Sequence, residues 1–245
     1  MEVHAHTHTP RKKWTHYLRE FLMLFLAVFC GFLAENFREH QVEHQREKQF
    51  MRSLLFDTRE DSLELNEKIL AVLRSIQYQD SLLLFLYNNP VNDFLSDYFN
   101  DTLATYALPR HTIVFNDVTA IQLKNAGNLR LIRKQDVVRN ILLYWKEQEN
   151  AKNNLERFII YRNRGRELEE KLFAFSDYDL VEDRLIKAPA KGVRVIQSNT
   201  VLWDQYANVI SHCRITAKHL AGSLQKLLRL ASDLMLLIKK EYHLK

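Results

Sequence analysis

Apolar residues fall along this chain in two patterns, one unbroken run near the start and helical spacing over most of the remaining chain. The run is Phe21–Ala34, FLMLFLAVFCGFLA, fourteen residues. As a helix at about 1.5 Å per residue it reaches roughly 21 Å, short of the ~30 Å hydrocarbon core of a bilayer. Its flanks extend it: Trp14, Tyr17 and Leu18 lie ahead and Phe37 behind, so Trp14–Phe37 covers about 36 Å as one helix with amphipathic ends. Arg19 can snorkel to the headgroups, whereas Glu20 is tolerated only if interfacial, paired or protonated.

Three readings of the run compete: an uncleaved membrane anchor, a buried core helix and a cleaved signal. Signal cleavage wants small residues at −3 and −1, yet Ala27, Gly31 and Ala34 each have Phe two positions earlier. Lipidation of Cys30 is disfavoured by Phe29 directly before it. The anchor is the favoured reading. Basic residues flank it on both sides, Arg11, Lys12, Lys13 and Arg19 against Arg38, Arg46, Lys48 and Arg52, but the tight RKK cluster on a short tail places the N-terminus inside. The expected organisation is a cytoplasmic tail at 1–13, a transmembrane anchor at 14–37, and a helical stalk and bundle domain at 38–245. That makes a single-pass inner-membrane protein with a periplasmic domain; a cytoplasm-facing domain is the alternative.

Beyond the span, Arg38–Gln49 has Val42 as its lone aliphatic residue but no Gly or Pro, and reads as a solvated helical stalk. Leu65, Ile69, Val72, Ile76, Leu83 and Tyr87 then recur at helical spacing, so one face turns into core until Asn88-Asn89-Pro90 stops the helix. A short amphipathic helix is expected at Asp93–Thr105. Asn116 or Asp117 caps another through Leu123–Ala126, which Gly127 ends in a left-handed conformation. From about Lys134 a long helix runs to near Phe173, with Val138, Leu142, Trp145, Leu155, Ile159 and Leu172 near one face, Asp136 early where its charge suits the dipole, and Gly165 a weak point. Residues 174–197 read as irregular, with VRVI at 193–196 a short extended piece. A last helix begins near Ser198–Thr200. Its apolar positions Tyr206, Ile210, Cys213, Ala217, Leu220, Leu224, Leu227, Ala231, Leu234 and Ile238 alternate spacings of four and three. That seam suits an internal bundle or a parallel homo-oligomer; the apolar faces upstream also need covering, which favours the bundle.

Composition agrees with long elements and few turns, because 245 residues hold only 5 Gly and 4 Pro. The fold class expected is all-α, an N-terminal transmembrane helix continuing into a helical stalk and an elongated helical bundle. A net charge of +5 is ordinary for solubility, and two cysteines in different environments make no disulfide framework.

Candidate chemistry is sparse. His4, His6 and His8 alternate in the tail without fixed geometry, and His40 and His44 share a helix face, but Gln41 stands where an HExxH motif needs Glu. Asp57, Glu60, Asp61 and Glu64 beside Arg59 read as a solvated face. Arg157–Arg166 holds four arginines with Phe158 and Tyr161, a basic-aromatic patch that Glu156, Glu167, Glu169 and Glu170 dilute into a salt-bridged surface rather than a nucleic-acid site. Nucleophile elbow, P-loop, Rossmann glycines, CxxC pairs and EF-hand loop are all missing from the sequence. The expectation is therefore no enzyme, and no catalytic, cofactor-binding or metal residue.

The segment Leu123-Lys124-Asn125-Ala126-Gly127-Asn128-Leu129-Arg130-Leu131-Ile132, with the span running into ENFREHQVEHQREKQFMRSLLFD, resembles an uncharacterised family of Gram-negative bacterial single-pass membrane proteins, classed as a domain of unknown function. The resemblance covers roughly residues 20–165. It implies a membrane-anchored helical domain and no activity. The expected role is a membrane-anchored interaction or scaffolding module, touching the lipid bilayer through Trp14–Phe37 and a protein partner through the bundle. The alternatives are a sensor-like bundle holding a small molecule in the aromatic-rich Tyr78–Tyr106 region, and an enzyme without a recognisable motif.

Overall fold

The computed structural model describes residues 14–88, 106–125, 127–174, 179–181, 185–187, 195–197 and 200–244. The fold is all-α with one small hairpin. Helix α1 is Trp14–Asn88, α2 is Val118–Asn125, a 3₁₀ turn follows at Asn128–Leu131, α3 is Gln135–Leu172 and α4 is Thr200–Tyr242. Strands β1 (Asp179–Val181) and β2 (Leu185–Lys187) pair antiparallel, Leu180 opposite Ile186, within the stretch expected to be irregular. Three-residue strands are too short to show a period in the sequence. Extended backbone is present at Val195, which bridges Phe173, but Val193 and Arg194 lie outside the described residues, as do the 1–13 tail and the helix expected at Asp93–Thr105.

The chain divides into two compact units, residues 1–50 and 51–245. In the first, α1 is exposed at every position from Trp14 to Gln41; Glu47 is buried, so the stalk is not solvated throughout.

The second unit is a three-helix bundle. Helices α3 and α4 run antiparallel, as the ion pairs Glu147–Lys226 (2.6 Å) and Lys134–Glu241 (3.2 Å) and the Tyr206–Glu169 hydrogen bond (2.7 Å) show. Residues 51–88 of α1 run antiparallel to α4, through Gln79–Cys213 and the Asp80–Arg214 ion pair, and parallel to α3, through Asp61–Tyr144. Two parallel helices need a returning connection, and Tyr106–Asp117 supplies part of it. Ala107 and His111 are buried beside the α1 residues Gln79 and Ser75, and Asn116 reaches Asp61, so the strap runs back along α1 as extended chain. Helix α2 and the turn at Gly127, φ 61° and ψ 17°, then reverse the chain into α3. This is the left-handed conformation glycine adopts without a Cβ penalty.

All ten seam residues of α4 from Tyr206 to Ile238 are buried, and their neighbours are this chain's own helices. The faces of the other two helices differ from the sequence expectation. On α1, Leu82 is buried in place of Leu83, and Tyr87 is 89 % exposed. On α3, Leu142 is exposed and Val138, Leu155 and Ile159 are half-buried, while Val137, Ile141, Tyr144, Ala151, Phe158 and Leu172 are buried. The true stripe follows 4-3 spacing but passes through Gln148, Gly165 and Glu169, so picking apolar residues alone lands one position away. Gly165 is a close-approach site: a Cβ there would stand 2.6 Å from Cδ1 of buried Leu108.

Candidate functional site

Every residue of the span is exposed. Trp14, Phe21, Met23, Leu24, Val28, Phe32 and Phe37 are all exposed, and Phe21, Phe25 and Phe29 stack along one face at 6.2 and 5.9 Å between ring centroids. Glu20 faces His16 at 3.2 Å, one turn back, at the polar margin of the run. This stretch of α1 is long and apolar enough to cross a membrane, and none of its apolar window is buried by protein. A core helix would be covered; this one leaves its whole circumference open.

Inside the bundle, polar side chains occupy seam positions and meet across helices. Asp61, expected on a solvated face, is buried: it accepts the Asn116 backbone N–H (2.8 Å), the Tyr144 hydroxyl (2.7 Å) and the Gln148 amide (3.2 Å), tying α1, the strap and α3 together. Burial pushes its carboxyl above the usual carboxylate range, partly offset by these donors. Asp57 accepts the Thr119 N–H, which docks the start of α2. Glu64 faces Lys68 on the outside at 3.6 Å, so the four acids divide between core and surface.

One layer further along α1, His111 Nε2 lies 3.3 Å from Ser75 Oγ, with its ring 5.1 Å from Phe158. Desolvation, reinforced by nearby Lys68, lowers this imidazole to about 4. Next, the Gln79 amide donates to Ala107 O (2.8 Å) and approaches Cys213 Sγ (3.5 Å), whose thiol burial pushes up to about 12. Cys213 is thus a packing residue, since the reactive species is the thiolate.

The arginine-rich stretch of α3 is not all surface. Arg162 and Arg166 both donate to Leu108 O, at 3.3 and 3.1 Å, clamping the strap. Arg166 also pairs with fully buried Glu169 (2.8 Å), which accepts the Tyr206 hydroxyl; burial raises both the Glu169 carboxyl and the Tyr206 phenol. These layers join different elements through hydrogen bonds made by side chains, a chemistry of positioning.

His40 and His44 each face a glutamate three residues on, Glu43 at 3.8 Å and Glu47 at 3.5 Å. Tyr78 and Tyr106 stack on each other at 5.1 Å, and residues 89–105 of the aromatic region expected to hold a small molecule lie outside the described residues. His4, His6 and His8 lie outside the described residues.

Among the grooves lined by described residues, one of about 650 Å³ lies between α1 and the C-terminal end of α4. Leu55 and Phe56 of α1 and Met235 and Leu244 from α4 and its end give it an apolar floor, and Arg52, Arg59, Lys239 and His243 give it a basic rim. Arg52, Leu55, Phe56 and Arg59 fall at i, i+3, i+4 and i+7, a basic-apolar mixture on one helix face that the sequence already contains. What the sequence hides is their meeting with the far end of α4. A smaller groove, about 400 Å³, lies between α3 and α4 beside the stacked rings of Tyr161 and His212, with Arg164, Glu167 and Lys171 of both signs around it.

No protein-family model, curated protein or solved structure matches the chain.

Proposed function

We propose that this chain is a membrane-anchored helical interaction module without a reaction of its own. Trp14–Phe37 crosses an inner membrane once, residues 1–13 lie in the cytoplasm, and the bundle works in the periplasm against a protein partner. The observation that carries this reading is the apolar circumference of α1 from Trp14 to Phe37, fully exposed in a chain whose remaining helices bury their seams. Apolar surface on that scale is stable only against lipid or another apolar surface. Likeness to the single-pass family of unknown function belongs to the same proposal.

The interaction role is supported by a second apolar stripe on α1, on the side away from the bundle. Leu63, Leu70 and Leu84 are exposed at 58 %, 62 % and 63 %, and they share one heptad position that Gln77 interrupts. A row of this kind is what a partner helix covers. The buried Asp61 and Glu169 carboxyls and the Tyr144 and Tyr206 hydroxyls are paired with each other across helices, which supports a structural role.

Washing membranes with alkaline carbonate tests the anchor, and protease added to spheroplasts tests the topology. The full-length chain is expected in the pellet, with its bundle digested from outside. Release into the wash would refute the anchor, and a protected bundle would reverse the orientation.

A further inference from the structure

We propose that the groove between α1 and the end of α4 is a binding site for one anionic phospholipid molecule. Its rim gathers Arg52, Arg59 and Lys239, with His243 beside them, and among the described residues no carboxylate lines it. Of the acids close in sequence, Asp57 accepts the Thr119 N–H, Glu241 pairs with Lys134, and Glu60, next to Arg59, does not line the groove. Three fixed cations held together without a counter-charge repel one another, and an anion placed among them relieves that repulsion. The planar forks of Arg52 and Arg59 suit phosphate oxygens, which two guanidinium groups can each grip through paired N–H donors.

A free phosphate would not account for the floor. Phe56 is held 63 % exposed within the groove, with Leu55 and Met235 beside it, an apolar bed that inorganic anions leave in water. The end of α4 is shaped toward the same space. His243 has φ 50°, the one non-glycine residue with positive φ among those described, and the Leu244 N–H bonds back to Lys239 O at 3.1 Å. This left-handed cap turns the chain so that His243 and Leu244 both line the groove rather than continuing the helix axis. Basic rim, apolar floor and about 650 Å³ of space match a phosphate head with the upper part of an acyl chain. The site rests on the geometry of residues 51–245 alone, so it stands or falls separately from the membrane anchor.

Native mass spectrometry of the full-length chain in a neutral detergent tests this, with dioctanoyl phosphatidylglycerol, dioctanoyl phosphatidylcholine and inorganic phosphate as probes. One phosphatidylglycerol adduct is expected at a concentration at least tenfold below that needed for phosphatidylcholine or phosphate. The double variant Arg59→Gln with Lys239→Gln should weaken that adduct tenfold or more, and Phe56→Ser should weaken it severalfold. All three side chains are exposed, and unchanged thermal melting of each variant confirms the fold. Equal binding of the zwitterionic lipid overturns the proposal, as does equal binding of inorganic phosphate, or an adduct that survives the double variant.

Discussion

Two sets of apolar side chains in this chain end up in opposite surroundings. The α4 seam places Leu220, Leu224, Leu227 and Leu234 at zero exposure, while Phe21, Met23, Leu24 and Phe32 on α1 stand 65 % to 72 % exposed. The difference lies in pattern. In α4 the apolar residues hold one stripe and polar residues hold the rest, so one face seeks a partner and the others stay wet. In Phe21–Ala34 no polar face exists, so a single partner helix would cover only part of it. Apolar content alone therefore does not decide burial within the protein; its angular distribution decides whether the chain supplies its own cover.

A charge placed in each stretch breaks the comparison most severely. Leu224→Asp buries an unpaired carboxylate and should cost the bundle about 4 kcal/mol or more, seen as loss of cooperative unfolding by circular dichroism. Leu26→Asp should leave that unfolding unchanged and instead raise the carbonate-extractable fraction, since a central aspartate costs insertion roughly 3 kcal/mol. Equal destabilisation of the bundle by both would show that the span packs on protein.

The bundle alone has a titrating interior, and this sharpens the contrast. Burial holds His111 at about 4 instead of 6.5, so the neutral ring is favoured in the folded state. Its contribution is complete above pH 6.5 and is lost as pH falls toward 4, on the order of 3 kcal/mol. Urea unfolding at pH 7 and pH 4.5 should show wild type losing more stability than His111→Asn. The difference isolates the ring from Asp61 and Glu169, whose raised carboxyl values work the other way, adding stability on acidification. Equal losses in the two proteins would place the acid sensitivity elsewhere.

Asp61→Ala leaves the Tyr144 hydroxyl, the Gln148 amide and the Asn116 N–H without their acceptor, and should cost about 2 kcal/mol in the same assay. Asp61→Asn, which keeps one acceptor oxygen, should cost less. The smallest effect expected is at Gly127, where a Cβ meets nothing within 4 Å and only the backbone objects. Gly127→Val should destabilise by about 1–2 kcal/mol through its positive φ. A neutral result would mean the turn relaxes.

These polar layers also explain what was legible in the sequence. The α4 seam was readable because all ten of its 4-3 positions from Tyr206 to Ile238 are apolar or small. The α3 stripe uses the same spacing, but Gln148, Gly165 and Glu169 stand in it, buried and hydrogen-bonded or closely approached, so apolar character alone points to Val138, Leu142 and Ile159 instead. Asp61 and the Arg162–Arg166 pair read as surface for the same reason: their partners, Tyr144 and the Leu108 carbonyl, become neighbours only once α1, the strap and α3 are assembled. Gly127 was legible because a turn conformation is local. The groove was not, because Arg52 and Lys239 come from distant parts of the chain that only the antiparallel pairing of α1 and α4 brings together.

The membrane reading has a built-in probe in the two cysteines. Cys30 sits exposed on the span, whereas Cys213 is fully buried with its thiol raised to about 12. In water Cys30 would therefore be the thiol that reacts. We expect a charged, water-soluble maleimide applied to intact membranes containing the full-length chain to leave Cys30 unmodified, with labelling by mass spectrometry only after denaturation in detergent. Prompt modification of Cys30 in intact membranes would contradict the anchor and with it the account of this protein as a membrane-bound module.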